Sequence, residues 1–312
     1  MTVAAPVRTW AHRHLLDVDL LTRAEAERIL DLSDVMLASR ETRAHRSLLE
    51  LETVALAFYE ASTRTRVSFE LAAKALGATV VDLAVERSSA SKGESLVDTL
   101  RTLRRVVATI VVLRHGAAGA PYLAARETDL SIVNGGDGTH AHPTQALLDA
   151  ATLREALGTL EGRTVAIVGD VAHSRVARSN AHLLPKLGAR VRVGGPPAWV
   201  EGFEDWPGVE VTTTLPDALV GADAVMTLRV QTERDAVAGV GTLAQYVRDW
   251  RLDEARMAMS EPGAPVLHPG PTNEGVELTA DLANGRRSLI GRQVEHGVAV
   301  RMAVLALVAG AA

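Results

Sequence analysis

The segment FYEASTRTRVSFELAAKALGA places a burst of polar side chains between an apolar run and an amphipathic stretch. Hydroxyls and a planar guanidinium come from Ser62, Thr63, Arg64 and Thr65, here named the polar corner. The first turn of a helix has unpaired backbone N–H groups and a partial positive charge, so a helix that begins here could bind a phosphate group. The same residues are typical of an ordinary helix N-cap with surface arginines, and this segment alone does not decide between the two.

Other side chains able to bind an anion or a carbonyl group follow apolar runs elsewhere in the chain. The cationic and imidazole candidates are Arg114 in ATIVVLR, His142 in HPTQ, Arg175 in GDVAHSR and Arg229 in LRVQ. The remaining candidates are Ser88 and Lys92 in SSASKGES, Gln145 in HPTQ, Gln231 in LRVQ, and Gly270 and Pro271 in HPGP. Taken singly, each could be a helix cap, a turn residue or a surface charge.

Composition excludes several other kinds of chemistry. The chain of 312 residues has no Cys, which removes disulfides, thiol catalysis and cysteine–zinc sites. Its formal net charge of −5 does not favour nucleic acid as a partner. No GxxxxGK[ST] or GxGxxG motif occurs, so a conventional nucleotide-binding loop is not supported. The N-terminus lacks the apolar core of a signal peptide, and we expect a cytoplasmic protein.

Apolar runs that alternate with helical patterns must position these candidates. The predicted strands are 53–59, 79–85, 108–114 and 129–136 in the first half, and 163–170, 189–195, 223–229 and 265–270 in the second. Continuous apolar strands separated by helices indicate α/β architecture with covered parallel sheets. Binding groups in such folds lie at the carboxyl ends of the strands, where the polar clusters of this chain are found.

This pattern predicts two doubly wound domains, joined by helices. The boundaries we expect are 1–150 for the first domain, 151–292 for the second, and 293–312 for a C-terminal helix that returns to the first. Residues 142–158 read as a helix bridging the domains, and Thr22 with Glu25 forms a capping-box pattern. The apolar C-terminus is interrupted by Arg301 and is shorter than the ~20 residues needed to cross a bilayer, which favours a buried helix.

A set of motifs occurs in one order along the chain: STRTRVSFE, SSASKGES, LRH, HPTQ, GDVAHSR, LRVQ and HPGPTNEGVE. From about residue 50 to the C-terminus, the chain resembles the aspartate and ornithine carbamoyltransferase family, and its aspartate-using branch most closely. The resemblance implies transfer of the carbamoyl group of carbamoyl phosphate to the α-amine of L-aspartate. The products would be N-carbamoyl-L-aspartate and phosphate, in pyrimidine biosynthesis.

The resemblance assigns carbamoyl phosphate to the first domain, with no metal or cofactor. The phosphate would be held by Ser62, Thr63, Arg64, Thr65 and Arg114. Thr65, Arg114 and His142 would act on the carbonyl oxygen, while Gln145 would orient the carbamoyl amide. Fixed cations and donors would then stabilise the charge that develops on the carbonyl and on the leaving phosphate. The carboxylates expected to aim the arginines are Glu60, Glu70 and Glu94.

The resemblance assigns L-aspartate to the second domain. Its contacts would be Lys92, Arg175, Arg229, Gln231 and the backbone carbonyls of Gly270 and Pro271. Ser88 and Lys92 would enter the site of a neighbouring subunit, so the enzyme would be a homotrimer with shared sites. A larger assembly with regulatory chains or another pyrimidine enzyme is compatible with this, whereas a nucleic acid or a membrane is not an expected partner.

Three alternatives remain open on the sequence. A sister carbamoyltransferase could use ornithine or another amine, although ornithine-using relatives typically carry a Cys in the loop aligned with HPGP, and this chain has none. A Rossmann-type oxidoreductase is suggested by AIVGD, without the glycine fingerprint. A non-catalytic sensor of a phosphate ligand is the third. One local departure is Glu274, which stands where an arginine is common in similar sequences.

Overall fold

The computed structural model of the chain describes residues 10–40, 42, 44–83, 94–106, 108–230 and 242–312. In these ranges the strands form two parallel sheets, one in each half of the chain, and helices cover the sheets. The predicted α/β architecture with two doubly wound domains is confirmed. No helix within the described ranges has the length and apolar character needed to span a membrane.

The first sheet has the strand order β2-β1-β3-β4. Its strands are β1 (Thr53–Phe58), β2 (Thr79–Leu83), β3 (Ile110–His115) and β4 (Ser131–Asp137). The register pairs Phe58 at the end of β1 with Arg114 near the end of β3. This pairing brings Arg114 beside the chain segment that leads from β1 into the polar corner.

The second sheet has the strand order β7-β6-β5-β8-β9. Its strands are β5 (Thr164–Val168), β6 (Arg190–Gly194), β7 (Val209–Thr212), β8 (Ala224–Thr227) and β9 (Val266–Leu267). The sequence pattern did not predict β7, because its four residues, VEVT, include a charged side chain and only part of the strand is buried. The predicted strand 265–270 is reduced to two residues, and the rest of that segment is the HPGP loop.

Twelve helices connect and cover the strands within the described ranges. Those of the first half are α1 (Arg23–Ala38), α2 (Thr63–Ala75), α3 (Leu96–Arg105), α4 (Ala120–Glu127) and α5 (Pro143–Leu157). Those of the second half are α6 (Arg175–Lys186), α7 (Pro197–Val200), α8 (Leu215–Leu219), α9 (Leu243–Trp250), α10 (Glu254–Met257), α11 (Ala280–Asn284) and α12 (Ile290–Val308). The capping box at Thr22 is present, since the hydroxyl of Thr22 accepts from the backbone of Glu25 and the Glu25 carboxylate accepts from the backbone of Thr22.

In the first sheet β1, β3 and β4 are buried, as expected for strands that are apolar along most of their length, whereas the edge strand β2 is largely exposed. Val54 and Leu56 of β1 pack in a core with Phe69 of α2, whereas Ala55 faces the opposite side and packs in a core with Leu100 of α3. Successive side chains of a strand point to opposite faces, so a continuous apolar run is what a covered strand requires. The second sheet is also covered on both faces.

The C-terminal helix α12 packs against α1, α2 and α5, so the chain returns to its first half as predicted. The helix begins at Ile290, three residues before the boundary expected from the sequence. Its buried residues form one continuous core with those of α5 and α6. The two sheets are therefore joined through packed helices as well as through the chain itself.

Each sheet has one place where the strand order reverses. In the first sheet this place lies between β1 and β3, and in the second between β5 and β8. The loops that leave two neighbouring strands diverge there and open a crevice at the carboxyl ends, which is where ligands bind in open α/β sheets. The polar corner follows β1, Arg114 ends β3, Arg175 follows β5, and Arg229 follows β8.

Candidate active site

The polar corner lies at the first turn of α2. Ser62 occupies the N-cap position with an extended backbone, but its side chain makes no capping hydrogen bond to the first turn. An ordinary cap would use this hydroxyl to satisfy a backbone N–H, so the simple N-cap interpretation is not what the structure contains. Thr63 and Arg64 follow in the first turn, and Thr65 is buried behind them. The hydroxyl and the first-turn N–H groups are in position to receive an anion.

Arg114 is anchored by the first sheet itself. Its Nη1 donates to the backbone oxygen of Gly135 at 3.1 Å, and its Nη2 donates to Oε1 of Glu60 at 2.7 Å. Only 8% of the residue is exposed. Burial, together with the nearby charge of Arg175, lowers the pKa of Arg114 to about 10, although Glu60 opposes this. The guanidinium stays charged at neutral pH and is held in one place.

Glu60 joins the two halves of the site. Its carboxylate accepts from Arg114, which belongs to the first sheet, and from both terminal nitrogens of Arg175, which begins α6 after β5 of the second sheet. Burial by itself would raise the pKa of Glu60, but the hydrogen bond to Arg175 and the charges of both arginines outweigh it and leave the pKa below its ordinary value. Two guanidiniums from opposite halves can therefore converge on one carboxylate.

Gly136 permits this convergence. A Cβ atom at this position would lie 2.9 Å from Nη1 of Arg114 and 3.3 Å from Cζ of Arg175. Its φ of +117° is also a conformation that other residues rarely adopt. Any side chain here would displace one of the arginines, so the NGGDG segment contributes space rather than a functional group. Asp137 in the same segment accepts from the backbone N–H of Gly119 and from the Asn134 amide, so it stabilises the segment.

His142 is buried at the N-terminus of α5, with 4% of the residue exposed. Its backbone N–H donates to Oγ of Ser179 on α6 at 2.9 Å, and its Nδ1 has no hydrogen-bond partner among the described residues. Burial holds the pKa of His142 well below its ordinary value, and the positive charges of Arg114, Arg175 and Arg301 lower it further. The ring is neutral at physiological pH and can donate one N–H to a carbonyl oxygen.

Gln145 lies one turn further along α5 and is also buried. Its Nε2 donates to Oδ1 of Asp149 at 2.9 Å, a contact between residues four apart on the same helix face. The orientation of the Gln145 amide is therefore defined by a neighbouring carboxylate.

Arg64 and Arg229 come together from opposite halves of the chain. Arg64 lies against Gly270, where a Cβ atom would be 2.8 Å from Cζ of Arg64. Partial burial lowers the pKa of Arg64, and the positive charge of Arg229 adds to this. Gly270 has a φ of +69°, so both the conformation and the close approach favour glycine at this position. One location therefore contains the polar corner, Arg229 and the HPGP loop.

The HPGP loop is held from behind by buried hydrogen bonds. Nδ1 of His268 accepts from the backbone N–H of Gly270 at 2.8 Å, and Nε2 of His268 lies 3.2 Å from Oε1 of Glu277. The backbone N–H of His268 donates to Oε1 of Gln293 on α12 at 3.0 Å. His268 therefore supports the loop from a buried position, whereas Pro269 and Gly270 are partly exposed and Pro271 is exposed.

Several predicted site residues lie outside the described ranges, namely Ser88, Lys92 and Gln231. Of the three carboxylates expected to aim the arginines, Glu60 alone does so within the part of the chain that the structure describes. Glu70 instead pairs with Lys74 at 2.6 Å, one turn along the exposed face of α2, and Glu94 has no arginine partner among the described residues. The prediction for Glu70 was wrong because its position on α2 directs it away from the crevice.

Sequence reasoning did not find the polar residues that support the site from behind. These are Asp149, Ser179, Asn180, Gln293 and Arg301, all of them buried. The four-residue spacing of Gln145 and Asp149 was a usable signal. The others lie in α6 and α12, which are far from α5 or from each other in sequence, and no local pattern brings them together.

Comparisons with known proteins agree with this arrangement. Residues 13–155 match the family model described as "Aspartate/ornithine carbamoyltransferase, carbamoyl-P binding domain". Residues 161–308 match the model "Aspartate/ornithine carbamoyltransferase, Asp/Orn binding domain". The chain belongs to the aspartate/ornithine carbamoyltransferase family. The resemblance inferred from the ordered motifs is confirmed.

Relatives within the carbamoyltransferase family differ in the acceptor they use. A protein of Gluconobacter oxydans, named aspartate carbamoyltransferase catalytic subunit, is 51% identical over 302 residues, which is 96% of each chain. The aspartate transcarbamoylase of Trypanosoma cruzi, solved with carbamoyl phosphate and aspartate, is 30% identical, with a TM-score of 0.86 over 96% of each chain. The ornithine carbamoyltransferase of Pyrococcus furiosus is 28% identical, with a TM-score of 0.88 over 96% of this chain and 98% of that one. Fold similarity alone therefore does not identify the acceptor of a carbamoyltransferase.

Proposed function

We propose that this chain is an aspartate carbamoyltransferase. It transfers the carbamoyl group of carbamoyl phosphate to the α-amine of L-aspartate and releases N-carbamoyl-L-aspartate and phosphate. The strongest support is the convergence of Arg114 and Arg175, from opposite halves of the chain, on the single carboxylate of Glu60. A crevice built in this way suits a pair of anionic substrates that must meet. The named relative at 51% identity favours aspartate as the acceptor.

The phosphate group is bound at the polar corner. Its oxygens accept from Ser62, Thr63, Arg64, Thr65 and Arg114. Because the Ser62 hydroxyl does not cap α2, ligand binding breaks no capping hydrogen bond. Arg114, fixed by the oxygen of Gly135, reaches both the phosphate and the carbonyl oxygen. The charge that the phosphate gains as it leaves is stabilised by groups that are already oriented.

The carbonyl oxygen gains negative charge when the amine attacks. Thr65, Arg114 and His142 donate to it. His142 acts as a neutral donor, since burial and three arginines disfavour the imidazolium form. Gln145 receives the amino group of the carbamoyl moiety. The attacking amine is neutral when it reacts, and its proton passes to the departing phosphate, so no carboxylate base is needed.

The two carboxylates of aspartate are bound by the second half of the chain. Their contacts are Lys92, Arg175, Arg229, Gln231 and the loop at Gly270 and Pro271. A carboxylate of the substrate competes with Glu60 for Arg175, and bidentate guanidinium–carboxylate pairing suits both. Ornithine would instead bring a cationic side chain toward Arg229 and Arg64, whose charges already repel each other. That electrostatic conflict disfavours the ornithine alternative.

The remaining features belong to the organisation of the enzyme. Residues 1–150 form the carbamoyl-phosphate domain, 151–292 form the aspartate domain, and 293–312 return to the first domain. Ser88 and Lys92 complete the site of a neighbouring subunit in a cytoplasmic homotrimer that serves pyrimidine biosynthesis. Regulatory chains or another pyrimidine enzyme could bind to the outside of that trimer.

A colorimetric assay for carbamoylated amino acids on the purified protein tests the reaction. Carbamoyl phosphate should be offered with aspartate, ornithine or N-acetylornithine in parallel, and a nicotinamide-binding measurement covers the oxidoreductase alternative. We expect product with aspartate only. Product with ornithine or N-acetylornithine in place of aspartate would replace the proposed acceptor, and tight phosphate binding without turnover would favour a sensor.

A further inference from the structure

A fully buried carboxylate lies behind the site, one turn beyond Gln145 on α5. Oδ1 of Asp149 accepts from Nε2 of Gln145 at 2.9 Å and from Nε2 of Gln293, on α12, at 2.7 Å. Its Oδ2 accepts from Nδ2 of Asn180, on α6, at 2.9 Å. Three side-chain amides from three helices thus direct their NH2 groups at one carboxylate.

The ionisation of Asp149 determines what it can do to these amides. Burial raises the pKa of Asp149 to about 6, against the opposing effect of the three amide donors and of the Arg301 charge. In alkaline buffer the group is a carboxylate, which accepts hydrogen bonds and cannot donate one. Each neighbouring amide must therefore direct its nitrogen, and not its oxygen, toward Asp149.

The consequence for Gln145 follows from the geometry of an amide. Its NH2 and its carbonyl oxygen are on opposite branches, so binding Asp149 through Nε2 leaves Oε1 for the ligand. A carbamoyl group presents an NH2 beside its carbonyl, and an NH2 needs an acceptor. We propose that Asp149 is a positioning residue that sets the orientation of the Gln145 amide and so selects a carbamoyl over an acetyl group. This rests on the proposed function, in which Gln145 receives the carbamoyl amide.

Acetyl phosphate is the informative probe, because it replaces that NH2 with a methyl group of similar size. A correctly oriented Gln145 gains a hydrogen bond from carbamoyl phosphate and is left with a desolvated oxygen against acetyl phosphate. Asp149→Asn keeps the shape of the side chain but replaces one acceptor oxygen with a donor. Where the introduced NH2 faces Nε2 of Gln145, two donors meet, and Gln145 relieves that contact by rotating its amide through half a turn, which then presents its NH2 to the ligand. Where the remaining oxygen faces Gln145, the wild-type orientation persists, and the charge-swapped pair described below decides.

The experiment measures kcat/KM for carbamoyl phosphate and the competitive inhibition constant of acetyl phosphate, in alkaline buffer with saturating aspartate. We expect Asp149→Asn to reduce selectivity for the carbamoyl ligand by roughly 3- to 10-fold, the value of one hydrogen bond. The matched control is Asn180→Ala, which removes a hydrogen bond to the other oxygen of the same carboxylate and should leave selectivity unchanged. Equal weakening of both ligands in Asp149→Asn, together with independent effects in the charge-swapped pair, would reduce Asp149 to a structural role and overturn the proposal.

A charge-swapped pair keeps the test decisive if Asp149→Asn does not fold. Gln145→Glu alone brings two buried carboxylates into contact and should lower activity. The double variant Gln145→Glu/Asp149→Asn restores a donor behind an acceptor and should recover activity and carbamoyl selectivity together. Independent effects of the two substitutions would overturn the proposal. The wild-type rate is measured first, so an inactive wild type would refute the proposed function. An active wild type, with unaltered selectivity in Asp149→Asn and independent effects in the double variant, would refute only the role of Asp149.

Discussion

The two halves of the crevice hold their arginines in different ways. Arg114, in the first half, is buried and bound to the backbone oxygen of Gly135 in the adjacent strand of its own sheet. Arg175, in the second half, is held by Glu60, which belongs to the first half. The carbamoyl-phosphate half is thus oriented by local neighbours, whereas the orientation of Arg175 depends on the two halves being together. We infer that the first half is ready for its ligand and that the second acquires its final arrangement when aspartate binds.

In both halves of the crevice, arginines lie close to other arginines, and the repulsion between their charges costs free energy. The pKa of Arg114 falls to about 10, mainly through burial and then through the charge of Arg175. The pKa of Arg64 is lowered by burial and by Arg229. Arginines that repel one another destabilise the protein without its ligands, and an anion bound between them relieves that repulsion. The crevice therefore favours anions, and its first half does so before an acceptor is present.

The largest effect should come from the polar corner, the centre of the first half. Arg64→Ala should lower kcat/KM for carbamoyl phosphate about 10³-fold or more, because it removes a fixed charge from the leaving group. The matched control is Arg66→Ala, two residues on, since Arg66 pairs with Asp82 instead of lying against the HPGP loop. Steady-state kinetics that placed the two variants at the same activity would contradict the role given to the polar corner.

His142 tests whether the first half also acts on the carbonyl. His142→Ala should lower kcat by about 10²- to 10³-fold, the usual cost of one oxyanion donor, or roughly 3–4 kcal/mol. The affinity for phosphate should change much less, because the phosphate contacts remain. If calorimetry showed that the loss of activity came mainly from weaker phosphate binding, His142 would contact the phosphate and not the carbonyl oxygen.

Arg175 distinguishes the second half from the first. Arg175→Ala should raise the KM for aspartate roughly 10- to 100-fold through the loss of charged hydrogen bonds, while carbamoyl phosphate still binds. The control on the same helix is Arg178→Ala, because Arg178 lies over the rings of Phe203 and Trp206 instead of Glu60. Equal changes for both substrates would mean that the two halves are not separately oriented.

Mixing inactive variants tests whether a neighbouring subunit contributes residues to the active site in addition to the two halves of one chain. Lys92→Ala subunits and Arg64→Ala subunits, each inactive alone, should regain measurable activity after they are dissociated and reassembled together. A mixed trimer would then contain some sites with both native residues. Activity that stayed at the level of the separate variants would confine the whole site to one chain.

The smallest expected change concerns the protonation of His142. Burial and three arginines hold its pKa well below the ordinary value of 6.5, so the neutral ring persists as the pH falls to that value. Ring ¹⁵N chemical shifts, assigned by difference from His142→Asn, should show no imidazolium there, and kcat should show no inflection from this residue. An imidazolium signal near that pH would contradict the neutral donor.

Much of the fold followed from local pattern. The apolar runs predicted eight of the nine described strands. A strand buried on both faces must be apolar throughout, and the exposed edge strand β2 still contains two adjacent valines. The exception, Val209–Thr212, is a short and partly exposed edge strand, which that rule does not cover. The polar clusters at strand ends marked the crevice because parallel strands share one carboxyl edge.

Local sequence patterns predicted only part of the candidate site. Four of the predicted residues lie next to the end of a strand or the start of a helix, namely Arg64, Arg114, His142 and Arg175. Their place in the sequence was therefore enough to predict their place in the fold. Asp149 and Gln293 lie deep within helices, and their contact joins residues 144 positions apart. The contact between Glu60 and Arg175 could not be predicted from the sequence either, since the two residues are 115 positions apart.

By itself the sequence determined the α/β class and the family, and it predicted residues at the strand ends as the candidate site, because hydrophobic periodicity and strand-end position are local properties. Tertiary structure decided which charges meet. It brought Glu60 between Arg114 and Arg175, Gly270 against Arg64, and three amides around Asp149. Those contacts depend on how two sheets and the helices between them pack. Packing brings together charged and buried residues that are far apart in sequence, so no short stretch of residues can predict them.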